Sequence, residues 1–205
     1  MTRVTHIALA MTGASGAPYG LTLLERLVAA GCRVSLMISR PAQVVLGMET
    51  DLGLPGRSSD IQRFFSERLD AGEGQIAVYG REQWTAPVAS GSAAPDAMVV
   101  CPCTTATASA LATGASRSLI ERAGDVVLKE RRPLILVVRE MPLSVVHLEN
   151  LLALARAGAV VMPAAPGFYH GPETVQDLVD FVVARVLDHL GIDQDLIRPW
   201  GSDEG

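Results

Sequence analysis

Six short apolar runs, most of them followed by a stretch with helical spacing, constrain this chain more than any other feature. Residues 5–10, 33–38, 75–79, 97–101, 133–138 and 159–162 read as strands. Several are apolar at successive positions instead of alternating, the pattern of strands covered on both faces of a sheet. Helical patterns lie at 18–30, 42–50, 61–69, 105–113, 119–130, 143–156 and 175–190. Pro18 suits a first helical turn, and Thr174 is a fair N-cap for the last helix. Such alternation predicts a doubly wound α/β fold, Rossmann- or flavodoxin-like, with a parallel sheet, right-handed crossovers and helices on both faces. The 205 residues show no repeat or linker, so 1–205 reads as a single domain. Residues 51–59 and 81–95 break the rhythm and read as irregular.

The turn after the first run carries the first hint of chemistry. Met11-Thr12-Gly13-Ala14-Ser15-Gly16-Ala17-Pro18-Tyr19-Gly20 joins a buried strand to an amphipathic helix. A small-residue turn at a helix start presents backbone N–H groups and a positive dipole end to an anion such as phosphate. The glycines fall at 13, 16 and 20, so the dinucleotide fingerprint is absent. The second strand ends in Ser39-Arg40, where an NAD site would carry an acid. The pattern therefore points to a mononucleotide such as FMN; a tight turn without a ligand is the alternative.

Composition narrows the partners. A net charge of −5 argues against nucleic acid. No run of ~18 apolar residues spans a membrane, and no signal-peptide pattern opens the chain. Three cysteines fit a reducing cytoplasm better than a disulfide framework.

Polar residues gather where the strands end, the edge at which such sheets bind ligands. They are Thr12–Ser15, Ser39, the Thr104-Thr105-Ala106-Thr107 turn, Arg139-Glu140 and the loop 163–170 ending in Tyr169-His170. Each has a bland reading: the threonines can cap a helix, and Arg139-Glu140 can be a solvated pair. Glu49 closes a helix, where the dipole disfavours an acid, and is either functional or merely exposed. Cys101 and Cys103, two apart in a strand, should share a face; with no His or Cys nearby in sequence, buried packing is favoured over a metal. Arg122 and Lys129, seven apart, lie on one helix face and either receive a second phosphate or form ordinary surface pairs.

Taken together, Thr12-Gly-Ala-Ser-Gly, Met48-Glu49-Thr50-Asp51, Leu128-Lys129-Glu130-Arg131-Arg132-Pro133-Leu134, Val138-Arg139-Glu140-Met141-Pro142-Leu143 and Pro166-Gly167-Phe168-Tyr169-His170 resemble the UbiX-type flavin prenyltransferases, from about Ile7 to Trp200. The opening Gly-Ala-Ser-Gly is shared with flavin-dependent cysteine decarboxylases. The resemblance implies an enzyme that moves a dimethylallyl group from dimethylallyl monophosphate to reduced FMN and closes a fourth ring. The prenylated FMN serves UbiD-type decarboxylases, with ubiquinone biosynthesis the family expectation. It further implies a metal-independent, cytoplasmic homododecamer. By position, Gly13, Ala14, Ser15, Ser39, Thr104, Thr105, Ala106, Thr107 and Arg139 would hold FMN. Tyr169, Arg185, Arg122 and Lys129, with Ser90 and Gly91, would bind the prenyl phosphate, Arg122 and Lys129 from a neighbouring subunit. Ser15, Glu49 and Glu140 would move protons, the carboxylates as buried groups with raised pKa. Trp84 and Trp200 are candidates for an aromatic wall, or simply pack. The C-terminal helix and tail, about 174–205, would lie near the site.

This chain carries Thr104-Thr105-Ala106-Thr107 where relatives often have Ser-x-Gly-Thr or Ser-Ile-Lys-Thr, which keeps the hydroxyls. Two other readings stay open: a flavin-dependent decarboxylase acting directly on an acid, and a non-catalytic FMN carrier. A decarboxylase of the cysteine type would want a His near the first helix, and Pro18-Tyr19 stand there instead.

Overall fold

A computed structural model describes residues 5–198. Strands β1 (His6–Met11), β2 (Arg33–Ile38), β3 (Ile76–Val78), β4 (Ala97–Cys103), β5 (Leu134–Val138) and β6 (Val160–Pro163) form one sheet in the order β3-β2-β1-β4-β5-β6. Every adjacent pair is parallel. This is the dinucleotide-fold order, with its switch point between β1 and β4. Helices α1 (Ala17–Ala29), α2 (Arg40–Glu49), α3 (Ser58–Arg68), α4 (Thr105–Ala112), α5 (Leu119–Lys129), α6 (Val145–Arg156) and α7 (Val175–Leu190) surround it. The irregular 81–95 stretch contains two 3-10 turns, Pro87–Ala89 and Gly91–Ala93.

Strand parity sorts side chains into two cores. Ile7, Leu9 and Met11 face the layer that includes α1 and α7, while Ala8 and Ala10 face the layer of α4, α5 and α6. Leu23, Leu24 and Leu27 of α1 are fully buried, worth about 1.5–3 kcal/mol each against exposure. Gly20 lets this helix lie directly on β4: a Cβ there would stand 2.5 Å from the Cys101 carbonyl oxygen.

The cysteines depart from simple alternation. Cys101 joins the α1 core and Cys103 the opposite one, because the β4–β5 register shifts between Val100 and Cys103. Burial pushes both thiols up, Cys103 to about 12. Among the described residues no group of three His, Cys, Asp or Glu is placed to hold a metal.

Helix ends follow local chemistry. Thr174 caps α7 in a reciprocal box with Asp177. Ser144 and His147 make the same box for α6, so that helix begins at Val145 and not at 143. At the amino edge of the sheet, Arg33 Nη2 donates to His6 Nδ1 (3.0 Å), so Nε2 carries the proton toward Ser35 Oγ (2.8 Å). Burial and the charge of Arg33 hold the His6 pKa below 6.5.

Candidate functional site

Thr12 fixes the switch point. Its N–H and hydroxyl both donate to the Pro102 carbonyl (3.1 and 2.8 Å), and its oxygen accepts from Thr104 N–H (2.8 Å). One buried hydroxyl thus locks the end of β1 to the start of α4.

On one side of this lock lies a cleft of about 280 Å³. Gly13, Ser39, Thr104, Ala106 and Thr107 line it, joined by Arg40, Tyr79, Arg81 and Ser118. The starts of α2, α4 and α5 all open on it. Their caps are Ser39, Thr104 and Ser118, accepting from Ala42, Thr107 and Glu121 N–H. The Thr104 hydroxyl in turn donates to the Thr107 hydroxyl (2.9 Å). Gly13 keeps the floor thin, since a Cβ there would meet Pro41 Cβ at 2.4 Å. Met37, Ile38, Leu119 and Ile120 give the cleft apolar walls. Three positive helix ends, two arginines and apolar sides suit a planar ring carrying a phosphate, as in FMN. Sequence reading did not single out Tyr79, Arg81 or Ser118. The first two follow β3, so the strand-end rule already covered them; Ser118 precedes Glu121 in a capping-box pattern.

A second cluster gathers around the start of α1. Glu49, the last residue of α2, turns its carboxylate onto the start of α1: Gly16 and Ala17 N–H both donate to Oε2 at 2.8 Å. Gly16 makes this possible with φ 111°, the left-handed region. Partial burial alone would raise the Glu49 pKa. The Ser15 hydroxyl, the two amides and the Arg139 charge outweigh it and hold the carboxyl below its ordinary value. Arg139 Nε also donates to the Ser15 carbonyl (3.2 Å). Glu140 accepts from Met141 N–H (3.2 Å) and, at 3.4 Å, from Thr105. The raised-pKa expectation is therefore corrected for Glu49: it is held ionised. Both carboxylate residues are exposed in the single chain and not buried. Ala14 is buried beneath the turn.

The remaining candidates form two separate patches. Arg122 donates through Nε to the Ala89 carbonyl (3.1 Å) and pairs with Asp125 (2.9 Å). Lys129 pairs with Glu130, and both lie against Gly91, so Ser90-Gly91 does meet the α5 cations. Yet α5 starts at the cleft, and Lys129 ends it, about 12 Å further along the helix from Glu121. There it lines a hollow with Arg132, Pro133 and Val160 at the amino edge of the sheet. Tyr169 contacts Phe181 of α7 (5.6 Å between rings). Phe181 and Arg185 share a hollow beside β6, and Arg185 pairs with Asp188 (2.7 Å). Trp84 is 47% exposed; Trp200 lies outside the described residues.

Over residues 1–187 the chain matches the family described as Flavoprotein. It is similar to the flavin prenyltransferase UbiX of Pseudomonas aeruginosa, 59% identical over 197 residues, covering 96% of this chain and 94% of that protein. Among solved structures, it resembles AnUbiX (PadA1) in complex with FMN and dimethylallyl pyrophosphate. That match has a TM-score of 0.86 at 38% identity, covering 98% of this chain and 99% of the other. It also resembles a dodecameric FMN-dependent UbiX-like decarboxylase from Escherichia coli O157:H7, with TM-score 0.83 at 40% identity over 97% of this chain and 100% of that one.

Proposed function

This chain belongs to the UbiX family of flavin prenyltransferases, and from that premise we propose that it transfers a dimethylallyl group to reduced FMN without a metal. Bound reduced FMN supplies the nucleophile N5: its alkylation breaks the donor's allylic C–O bond, the phosphate takes the electron pair, and N5 releases its proton. Closing the fourth ring forms one C–C bond and moves a proton from the flavin ring to the prenyl chain.

The single observation that carries this reading is the ionised Glu49 fixed on the start of α1, beside Ser15 and Arg139. An ionised carboxylate is set to accept a proton, and Ser15, bonded to it, can relay one. Glu140, beside Thr105, is the second proton carrier. Gly13, Ser39 and the Thr104–Thr107 turn hold the flavin, with Ala14 beneath and Arg139 tying the turn in place. A simple carrier needs no such carboxylate.

Arg122, Lys129, Ser90, Gly91, Tyr169 and Arg185 receive the donor phosphate, stabilising negative charge as the C–O bond breaks. No one chain gathers these groups at its own cleft, so the complete site joins several copies, a dodecamer in the family's manner. The exposed apolar row Val145, Leu148 and Leu152 on α6 supports close subunit packing. The product goes to a UbiD-type decarboxylase in the cytoplasm; none of the described helices is long and apolar enough to cross a membrane. Residues 1–205 act as one domain, with α7 beside the donor site.

The test is a mass spectrum of flavin recovered after anaerobic incubation with reduced FMN and dimethylallyl monophosphate, without metal. A gain of one five-carbon unit is expected. Unchanged FMN on a protein that binds it would overturn the reading, and carbon dioxide released from an added aromatic acid would favour a decarboxylase.

A further inference from the structure

The Tyr169 patch contains a residue to which the transfer reaction assigns no part. The His170 ring stacks on Phe181, with centroids 5.1 Å apart and planes at 24°. Tyr169 meets both rings edge-on, 5.9 Å from His170 and 5.6 Å from Phe181. Three rings thus close a triangle. Gly167 fits it tightly, since a Cβ there would stand 3.0 Å from both Tyr169 and Phe181. Both His170 nitrogens are buried and hydrogen-bond to none of the described residues. The ring therefore makes its contacts through its face and edge. Phe181 is one helical turn from Arg185, and both line the same hollow beside β6.

We infer that His170 is a positioning residue, a wedge between Tyr169 and Phe181 that sets Tyr169 against Phe181, one helical turn from Arg185. The inference rests on the reading that these two receive the donor phosphate. Tyr169 is 57% exposed and sits on a loop, where a tyrosine side chain has several rotamers to choose from. Two edge-on ring contacts select one of them before the substrate arrives, so less ordering remains for binding. The aromatic shape of residue 170 matters here, and its nitrogens do not.

The experiment compares His170→Ala and His170→Phe in the full-length protein. It measures KM for dimethylallyl monophosphate, kcat with saturating reduced FMN, FMN affinity by fluorescence, and calorimetric binding of dimethylallyl monophosphate. His170→Ala should raise KM and the donor's Kd by roughly three- to tenfold, the loss of one or two ring contacts. FMN affinity and kcat should stay near wild type. His170→Phe should restore donor binding. A phenylalanine variant as impaired as the alanine one, or a loss expressed in kcat alone, would overturn the proposal by making the nitrogens the active feature. So would an alanine variant with unchanged donor affinity. Wild-type protein that binds the donor without transferring it would sink the transferase reading, and the donor-binding comparison would still decide the role of His170. Wild-type protein that does not bind the donor sinks both.

Discussion

Alanine at Gly20 should destabilise the protein even though alanine is the better helix former. A Cβ would lie 2.5 Å from the Cys101 carbonyl oxygen and 3.1 and 3.2 Å from Met11 Cε and Cγ. The methionine tip can swing away, but the carbonyl belongs to a fully buried strand and cannot. A carbon–oxygen contact needs about 3.3 Å, so α1 would have to withdraw by roughly 0.8 Å from β4. Withdrawal opens gaps around Leu23, Leu24 and Leu27, and overpacking of this kind costs about 1–3 kcal/mol. Helix propensity returns roughly 1 kcal/mol. Because the obstacle is backbone, the upper end of the cost applies, leaving a net loss of about 2 kcal/mol. Gly47 of α2 is the control: it has nothing within 4 Å of its would-be Cβ, so Gly47→Ala should stabilise by roughly 0.5–1 kcal/mol. Thermal melts at one protein concentration should place Gly20→Ala about 4–8 °C below wild type, with Gly47→Ala slightly above it. A Gly20→Ala protein as stable as wild type would refute the argument that the helix rests on the carbonyl.

Glu49→Gln should keep FMN affinity near wild type while ring closure stops, read as flavin carrying an unclosed prenyl group; wild-type amounts of closed product would remove the proton role. His6 should make stability pH-dependent. Its folded pKa lies below 6.5, so only the unfolded chain takes up a proton as pH first drops past that value. Stability is therefore full above about 6.5 and falls below it. His6→Asn should flatten that slope in urea titrations between about pH 5 and 7, and an unchanged slope would locate the effect elsewhere. Val145→Asp on the exposed side of α6 should break the assembly in sedimentation velocity; an intact large oligomer would show that this face is not an interface.

The apolar runs at 33–38 and 175–190 match β2 and α7 residue for residue because burial on both sheet faces and a Thr cap write themselves into local sequence. Strand order is different: it depends on which edges pair, and no local pattern in 5–10 or 97–101 distinguishes a Rossmann from a flavodoxin sheet. Simple alternation fails at Cys101–Cys103 for a similar reason, since a register shift is a property of two strands together. Glu49 shows the same limit in the site. Its position at the end of α2 looks unfavourable within its own helix, and only the fold reveals that it serves the start of another, 32 residues earlier in the chain at Ala17. The split of Lys129 from the cleft likewise required knowing which way α5 runs.

The carboxylate seated on α1 has one more consequence. In the dinucleotide fold, the helix after the first strand is where a bridging pyrophosphate sits. Here the chain places its own anion on those amides, two of them at 2.8 Å. A nicotinamide dinucleotide would have to evict that charge or bring a like charge beside it, on top of lacking the usual glycine spacing. The dinucleotide fold's phosphate-docking point is thus self-occupied, and ligand choice is set by repulsion as much as by attraction.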